Sequence, residues 1–133
     1  MGVIMREMKV GNVVINDISD CFVIAEVGNN HQGSVEKCKQ HFKESAAAGV
    51  HAVKLQKRNN RSLFTQEAYN KPYENENSYG STYGEHRVFL EFGMDEYRDL
   101  KDYAENLGLL FLSTAFDKES LKFLLRHKID YIK

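Results

Sequence analysis

Cys21-Phe-Val-Ile-Ala25, stopping at Glu26 and followed by the loop Gly28-Asn-Asn-His-Gln-Gly33, is the stretch on which the fold turns. Five consecutive apolar residues read as a strand buried on both faces, the pattern of a parallel sheet. Beyond the loop, Ser34 stands where a helix N-cap belongs, and Lys37 occupies the place a full capping box would give to Glu. A helix is predicted from there to about Ala48. Gly49 closes it, and His51-Ala-Val-Lys-Leu-Gln56 reads as a second strand a few residues later. Strand, helix and strand at this spacing make a βαβ unit.

The same alternation continues toward the C-terminus. From Met94 or Asp95, the residues Tyr97, Leu100, Tyr103, Ala104 and Leu107 fall at three- and four-residue steps before Gly108 ends the pattern. Leu109 to Leu112 is predicted as a third strand, Asp117 caps a helix carrying Leu121, Leu124 and Leu125, and Tyr131-Ile132 begins a fourth strand that breaks off at Lys133. On the N-terminal side, Met8–Val10 and Val13–Ile15 flank Gly11-Asn12 and predict a small hairpin. The stretch from Lys57 to about His86 is polar, rich in Asn, Tyr and Gly, and lacks periodicity, so it reads as a long loop of the functional or disordered kind.

A hairpin followed by β-α-β-α-β-α-β leaves two families of α/β architecture. GNNHQG has the wrong glycine spacing for a dinucleotide fingerprint and no phosphate-binding GxxxxGK[ST] motif occurs, so the expectation is a (β/α)8 TIM barrel rather than a doubly wound sheet. Only part of one is accounted for: residues 1–20 as a hairpin extension and residues 21–133 as the first half, with about four strands and three helices. A half barrel leaves two unpaired edges and an open interior face. Either two copies close together or the chain is cut within the barrel; the apolar run broken at Lys133 favours the second.

With 133 residues, 42% of them hydrophobic, and a single proline, the chain can bury a core. Eighteen Lys and Arg against 19 Asp and Glu give no broad basic field, so neither nucleic acid nor a membrane surface is an expected partner and small molecules are. The opening MGVIMREMKVGN is too short and too charged for a signal peptide, and no apolar run approaches the roughly 18 residues of a spanning helix. A cytoplasmic location is expected. Cys21 and Cys38 form no CxxC pair and read as reduced thiols.

Polar residues recur at the strand ends: Glu26 after the first, Lys54 and Gln56 in the second, Ser113-Thr114 after the third, Lys133 in the fourth. In barrels the active site lies at that C-terminal face. An ammonium between Val53 and Leu55 is costly to desolvate unless it meets an anion. Lys54 and Lys133 would suit a substrate bearing phosphate and carboxylate, with Thr114 as a hydroxyl donor and Glu26 as an opposing carboxylate. The plainer readings stand beside these. Glu26 and Lys54 also fit a structural ion pair between neighbouring strands, Thr114 a helix-entry residue, Lys133 a solvated end, and His31 a loop histidine without a catalytic part.

At these residues the chain resembles the N-acetylneuraminate (sialic acid) synthase family. Ile24-Ala-Glu26-Val-Gly28-Asn-Asn30-His31-Gln-Gly33, then Ala48-Gly49-Val-His-Ala-Val-Lys54-Leu-Gln56, then Leu112-Ser113-Thr114-Ala-Phe116 look like the opening of that family's barrel. Lys71-Pro-Tyr73, Tyr79-Gly80-Ser-Thr-Tyr83-Gly84-Glu85-His86 and Leu90-Glu-Phe92 are similar to the branch that makes N-acetylneuraminate 9-phosphate.

The resemblance implies a phosphoenolpyruvate-dependent transferase that joins phosphoenolpyruvate to N-acetylmannosamine or its 6-phosphate, giving a nonulosonic acid. Lys54, Thr114 and Lys133 would hold phosphoenolpyruvate, and Glu26 and Gln56 would lie near the sugar and the condensing carbons. It further implies a divalent metal, manganese or magnesium, with ligands outside this chain, a homodimer, a lid formed by residues 57–86, and inactivity of this segment by itself. Legionaminic and pseudaminic acid synthases share the barrel. Two rival readings remain: a Schiff-base aldolase or lyase with Lys54 as nucleophile, which borohydride trapping with pyruvate would reveal, and a non-catalytic module that pairs through its sheet edges.

Overall fold

A computed structural model describes residues 6–129 and 131–133. The part of the predicted 1–20 extension before Arg6 lies outside the described residues. The chain is a mixed α/β structure with a parallel sheet. Strands β1 (Glu7–Val10) and β2 (Val13–Asn16) form the antiparallel hairpin, with Val10 opposite Val13 and Gly11 at φ +58° in the turn between them. Strands β3 (Ile24–Gly28), β4 (Ala52–Lys57), β5 (Leu110–Ala115) and β6 (Tyr131–Ile132) form an all-parallel sheet in sequence order. The crossovers are α1 (Val35–Ala47), then a run of α2 (Asn60–Leu63), α3 (Gln66–Asn70), α4 (Tyr83–Phe89) and α5 (Met94–Asn106), and finally α6 (Lys118–Arg126).

Helices cover one face of the sheet. Val27, Val53, Leu55 and Phe111 point into that layer, where Cys38 and Phe42 of α1, Tyr97, Leu100 and Ala104 of α5 and Leu124 of α6 bury against them. Because strand side chains alternate, Glu26, Lys54, Gln56, Leu112 and Thr114 face the other way. The hairpin closes the N-terminal end of that second face. Its Gly11 N–H donates to the Tyr131 hydroxyl at 2.7 Å, and a Cβ at Gly11 would come within 3.0 Å of the Leu110 side chain.

The run 21–25 was expected to be buried on both faces, and here the structure differs. Ile24 is 41% exposed, because among the described residues the helices lie on the other side only, and Val23, ahead of the first paired residue, is 46% exposed. The strand also starts later and runs further than expected, to Gly28. Pairing sets this boundary: the Val23 carbonyl accepts from His51 and Ala52 at the foot of β4. Likewise β5 passes through Ser113 and Thr114, since Ser113 is buried with its hydroxyl 3.1 Å from that of Tyr97 and need not end the strand. On α6 only Leu124 of the three leucines reaches the core; Leu121 and Leu125 are exposed.

The predicted loop 57–86 is instead built of short helices, each with a side-chain cap. Asn59 accepts from the Ser62 N–H, Thr65 from Ala68 and Thr82 from Glu85, and Thr82 with Glu85 completes a capping box. Tyr73, Tyr79, Tyr83, His86, Phe64 and Phe89 stack into an aromatic cluster that holds the segment together. Its polar composition hid that cluster.

Candidate active site

The parallel register places Glu26 opposite Lys54 and Gln56 opposite Thr114 at the C-terminal end of the face the helices leave open. Lys54 Nζ lies 2.7 Å from Glu26 Oε2, and Gln56 Nε2 donates to Glu26 Oε1 at 3.3 Å. One carboxylate therefore bridges an ammonium and an amide. The Lys54 side chain is 14% exposed and that of Glu26 43%, so the cation is sheltered while the anion meets solvent.

Local backbone makes this approach possible. The β3–β4 register slips between Glu26 and Gly28, so Val27 turns into the core while Gly28, at φ +57°, stays beside the site. A Cβ at Gly28 would stand 3.3 Å from Gln56 Nε2 and 3.4 Å from Glu26 Oε1. Only glycine supplies both the left-handed backbone and the room.

Thr114 is half-buried on the same face. The amide of Lys133 donates to the Ser113 carbonyl at 3.0 Å and its carbonyl accepts from Ala115 at 3.1 Å, so Lys133 extends the ladder beside Thr114 with an exposed side chain. Glu26, Lys54 and Gln56 are thus joined by contacts. Among the described residues, Thr114 and Lys133 share their face and make no hydrogen bond to those three.

His31 is a structural residue. Its ring is buried, stacks on Phe92 with centroids 4.2 Å apart, and its Nδ1 accepts from the Gly33 N–H at 3.0 Å. Burial, with His41 nearby, brings its pKa down to about 4, the neutral form that accepts this bond. Among the described residues no three His, Cys, Asp or Glu side chains converge as a metal site. With Glu26 the one carboxylate of the cluster and His31 buried, the residues present do not by themselves fit a divalent ion.

Several contributors escaped sequence reading. The argument that singled out Lys54, a cation in a buried strand, applies equally to Lys57 on the helix face. Its Nζ donates to the Phe92 carbonyl at 2.6 Å, pairs with Glu91 Oε2 at 3.2 Å, and lies 4.7 Å from the centre of the Phe123 ring. Burial pushes the Glu91 carboxyl up, with Lys57 opposing the shift. This pair ties the helical insert to the sheet. Arg58, just past the end of β4, with its guanidinium carbon 3.6 Å from the centre of the Phe116 ring, also went unread, since no sequence motif marks such a contact.

Comparison with known proteins identifies the family. A model of the NeuB family matches residues 42–133. The chain is 38% identical over 127 residues to N-acetylneuraminate-9-phosphate synthase of Drosophila melanogaster, covering 91% of this chain and 34% of that protein. It is 37% identical over 113 residues to the Homo sapiens protein of the same name, covering 85% and 32%. The chain spans about a third of the length of these relatives. In structure it is similar to N-acetylneuraminic acid (sialic acid) synthetase of Leptospira borgpetersenii serovar Hardjo-bovis, solved with citrate, at a TM-score of 0.76 and 25% identity, covering 96% of this chain and 40% of that one.

Proposed function

The chain belongs to the NeuB family, and from that premise we propose that it forms the opening part of the (β/α)8 barrel of a nonulosonic acid synthase. In this reading the whole protein condenses phosphoenolpyruvate with N-acetylmannosamine or its 6-phosphate, in the cell's synthesis of acidic sugars. A synthase for a legionaminic or pseudaminic acid is the nearest alternative. No helix of the described residues is long and apolar enough to cross a membrane.

The observation that carries the proposal is the Glu26–Lys54–Gln56 cluster, set with Thr114 and Lys133 at the C-terminal end of one sheet face. Lys54, Thr114 and Lys133 hold the carboxylate and phosphate of phosphoenolpyruvate. The lysines act as charged donors and the threonine as a hydroxyl donor. Glu26, exposed enough to turn away from Lys54 when an anion arrives, lies with Gln56 beside the condensing carbons. The methylene carbon of phosphoenolpyruvate forms the new bond to the aldehyde carbon, whose oxygen takes up a proton. Water adds at the neighbouring carbon and inorganic phosphate leaves with its bridging oxygen. The carboxylate of Glu26 is the group on this face able to accept the proton that water gives up.

The family resemblance also implies a divalent metal, which would supply Lewis-acid polarisation of the aldehyde from ligands outside this chain. Dimerisation is proposed for the whole protein on the same ground. The folded segment 57–89 is proposed as a wall on the sugar side that excludes water.

The Lys54–Glu26 pair weighs against the Schiff-base rival, since imine formation needs a free amine and this ammonium is held at 2.7 Å by a carboxylate. The test is phosphate release from phosphoenolpyruvate by a protein of the relatives' length carrying this segment, with manganese, offering N-acetylmannosamine and its 6-phosphate in parallel. Release that requires one of the sugars supports the proposal. Absence of release with either overturns it.

A further inference from the structure

On the helix side of the sheet, away from Glu26 and Lys54, the folded segment after β4 and helix α6 flank a cavity of about 420 Å³, within the roughly 300–1,000 Å³ of small-molecule sites. Lys57, Arg58, Asn60, Arg61, Glu91 and Arg126 form its polar wall. The charges on that wall do not balance. Lys57 is answered by Glu91, and Glu119, also at the cavity, by Lys122 at 2.8 Å. Arg58, Arg61 and Arg126 enter no ion pair among the described residues. Aromatic rings hold two of them: the guanidinium carbon of Arg58 lies 3.6 Å from the centre of the Phe116 ring, and that of Arg61 4.8 Å from the centre of the Tyr69 ring. Stacking of this kind occupies the flat face of a guanidinium and leaves its N–H edge for an anion. Burial, then the charge of Arg87, lowers the pKa of Arg58 more than Glu91 restores it, which marks a cation short of negative charge.

Three polar atoms of the same wall are buried without a partner. Arg58 Nη1 is a donor, and Asn60 Oδ1 and Glu91 Oε1 are acceptors. Asn60 is only 5% exposed, so solvent does not stand in for the missing donor. A simple anion would answer the arginines and leave the two acceptor oxygens facing it. A neutral sugar would answer the acceptors and leave the arginines uncompensated. A small molecule with one carboxylate and several O–H or N–H donors answers both.

We propose that this cavity is a second ligand site, separate from the face bearing Glu26 and Lys54, and that it takes a small hydroxylated carboxylate. The carboxylate lies against Arg58, Arg61 and Arg126, and the O–H or N–H groups donate to Asn60 and Glu91. A nonulosonic acid belongs to this class, so, resting on the synthase reading above, the site senses the product and slows its formation. The route to the active face is short. Arg58 stands two residues after Gln56, and Phe116, stacked on its guanidinium, two residues after Thr114. The Phe116 N–H donates to the Lys57 carbonyl at 3.1 Å and the Asn59 N–H to Asp117 Oδ2 at 2.7 Å. A ligand that moves Arg58 therefore acts on the ends of both strands that carry Gln56 and Thr114.

The test is titration calorimetry on the full-length protein carrying Lys54→Ala, which disables anion binding at the other face, with N-acetylneuraminate, N-acetylmannosamine and acetate as probes. N-acetylneuraminate binds at least tenfold more tightly than either of the others, and adding Arg61→Gln and Arg126→Gln, both exposed positions, weakens it at least tenfold. No binding, equal binding of acetate or N-acetylmannosamine, or affinity kept in the added double variant overturns the site. Circular dichroism melting checks that each variant folds. In the parent, N-acetylneuraminate inhibits phosphate release non-competitively with both substrates, and Arg126→Gln raises the inhibition constant at least fivefold with uninhibited turnover unchanged. Competitive inhibition, or inhibition unchanged in Arg126→Gln, overturns product sensing. If the parent releases no phosphate with either sugar, the synthase reading fails, and the calorimetry still decides the cavity.

Discussion

Glu26 and Lys54 face each other across neighbouring parallel strands, Oε2 2.7 Å from Nζ, on the sheet face that the helices leave open. The pair is asymmetric in solvent exposure, 43% against 14%, so most of its energetic weight lies in the sheltered ammonium. Glu26→Gln keeps the shape and removes the charge. For a pair so accessible on one side, the expected loss of stability is at most about 1 kcal/mol, read as a small shift in the urea midpoint. Phosphate release falls by far more than so small a change in folding could cause. A stability loss without a loss of activity would make the pair structural.

Gly28 sets the spacing of the cluster. Gly28→Ala forces a side chain into a left-handed backbone, a cost of about 1–2 kcal/mol, and brings its Cβ against Gln56 Nε2 and Glu26 Oε1. Chemical denaturation should show that loss, and the KM values should rise because Gln56 must move.

Gly84 tests whether the segment after β4 is folded. A Cβ there would lie 2.4 Å from the Tyr69 ring, inside the packing of α3 on α4. Gly84→Ala is expected to destabilise the segment by about 1–3 kcal/mol and to open it to limited proteolysis between Thr65 and Phe89, while β3 and β4 remain protected from hydrogen exchange. Equal proteolysis of the parent and variant would mean a loop, as its composition first suggested.

His31 ties stability to pH. Buried on Phe92, its ring stays neutral down to about 4, whereas an unfolded histidine takes up a proton near 6.5. Between these values the unfolded chain binds a proton that the folded one excludes. The contribution is complete above about 6.5 and is lost as pH falls toward about 4, at up to about 1.4 kcal/mol per pH unit. His86 and His127 are lowered by burial in the same direction. Urea midpoints at pH 7 and pH 5 should therefore differ less in His31→Asn than in the parent.

The parallel order of the sheet was legible because Ser34, Gly49, Gly108 and Asp117 punctuate the chain at helix ends, where capping chemistry is local. Strand limits were less so. Val23 and Ser113 show that hydrogen-bond partners elsewhere in sequence decide where a ladder begins and continues. The capping box at Thr82 and Glu85 was readable and went unread because the surrounding Asn and Tyr residues pack on one another rather than on the sheet. Within the site, Glu26, Lys54 and Gln56 could be read as polar interruptions of apolar strands. Lys57 looked the same and turned to the other face, a matter of parity that a single residue of register decides.

The most direct measurement is sugar-dependent phosphate release from phosphoenolpyruvate by the full-length protein and by its Lys54→Ala variant at matched folding stability. The account predicts release in the parent and a loss of at least a hundredfold in kcat/KM for the variant, equivalent to about 2.7 kcal/mol. Release in Lys54→Ala within a few-fold of the parent would contradict it, and would leave the Glu26–Lys54 pair as a strut between two strands.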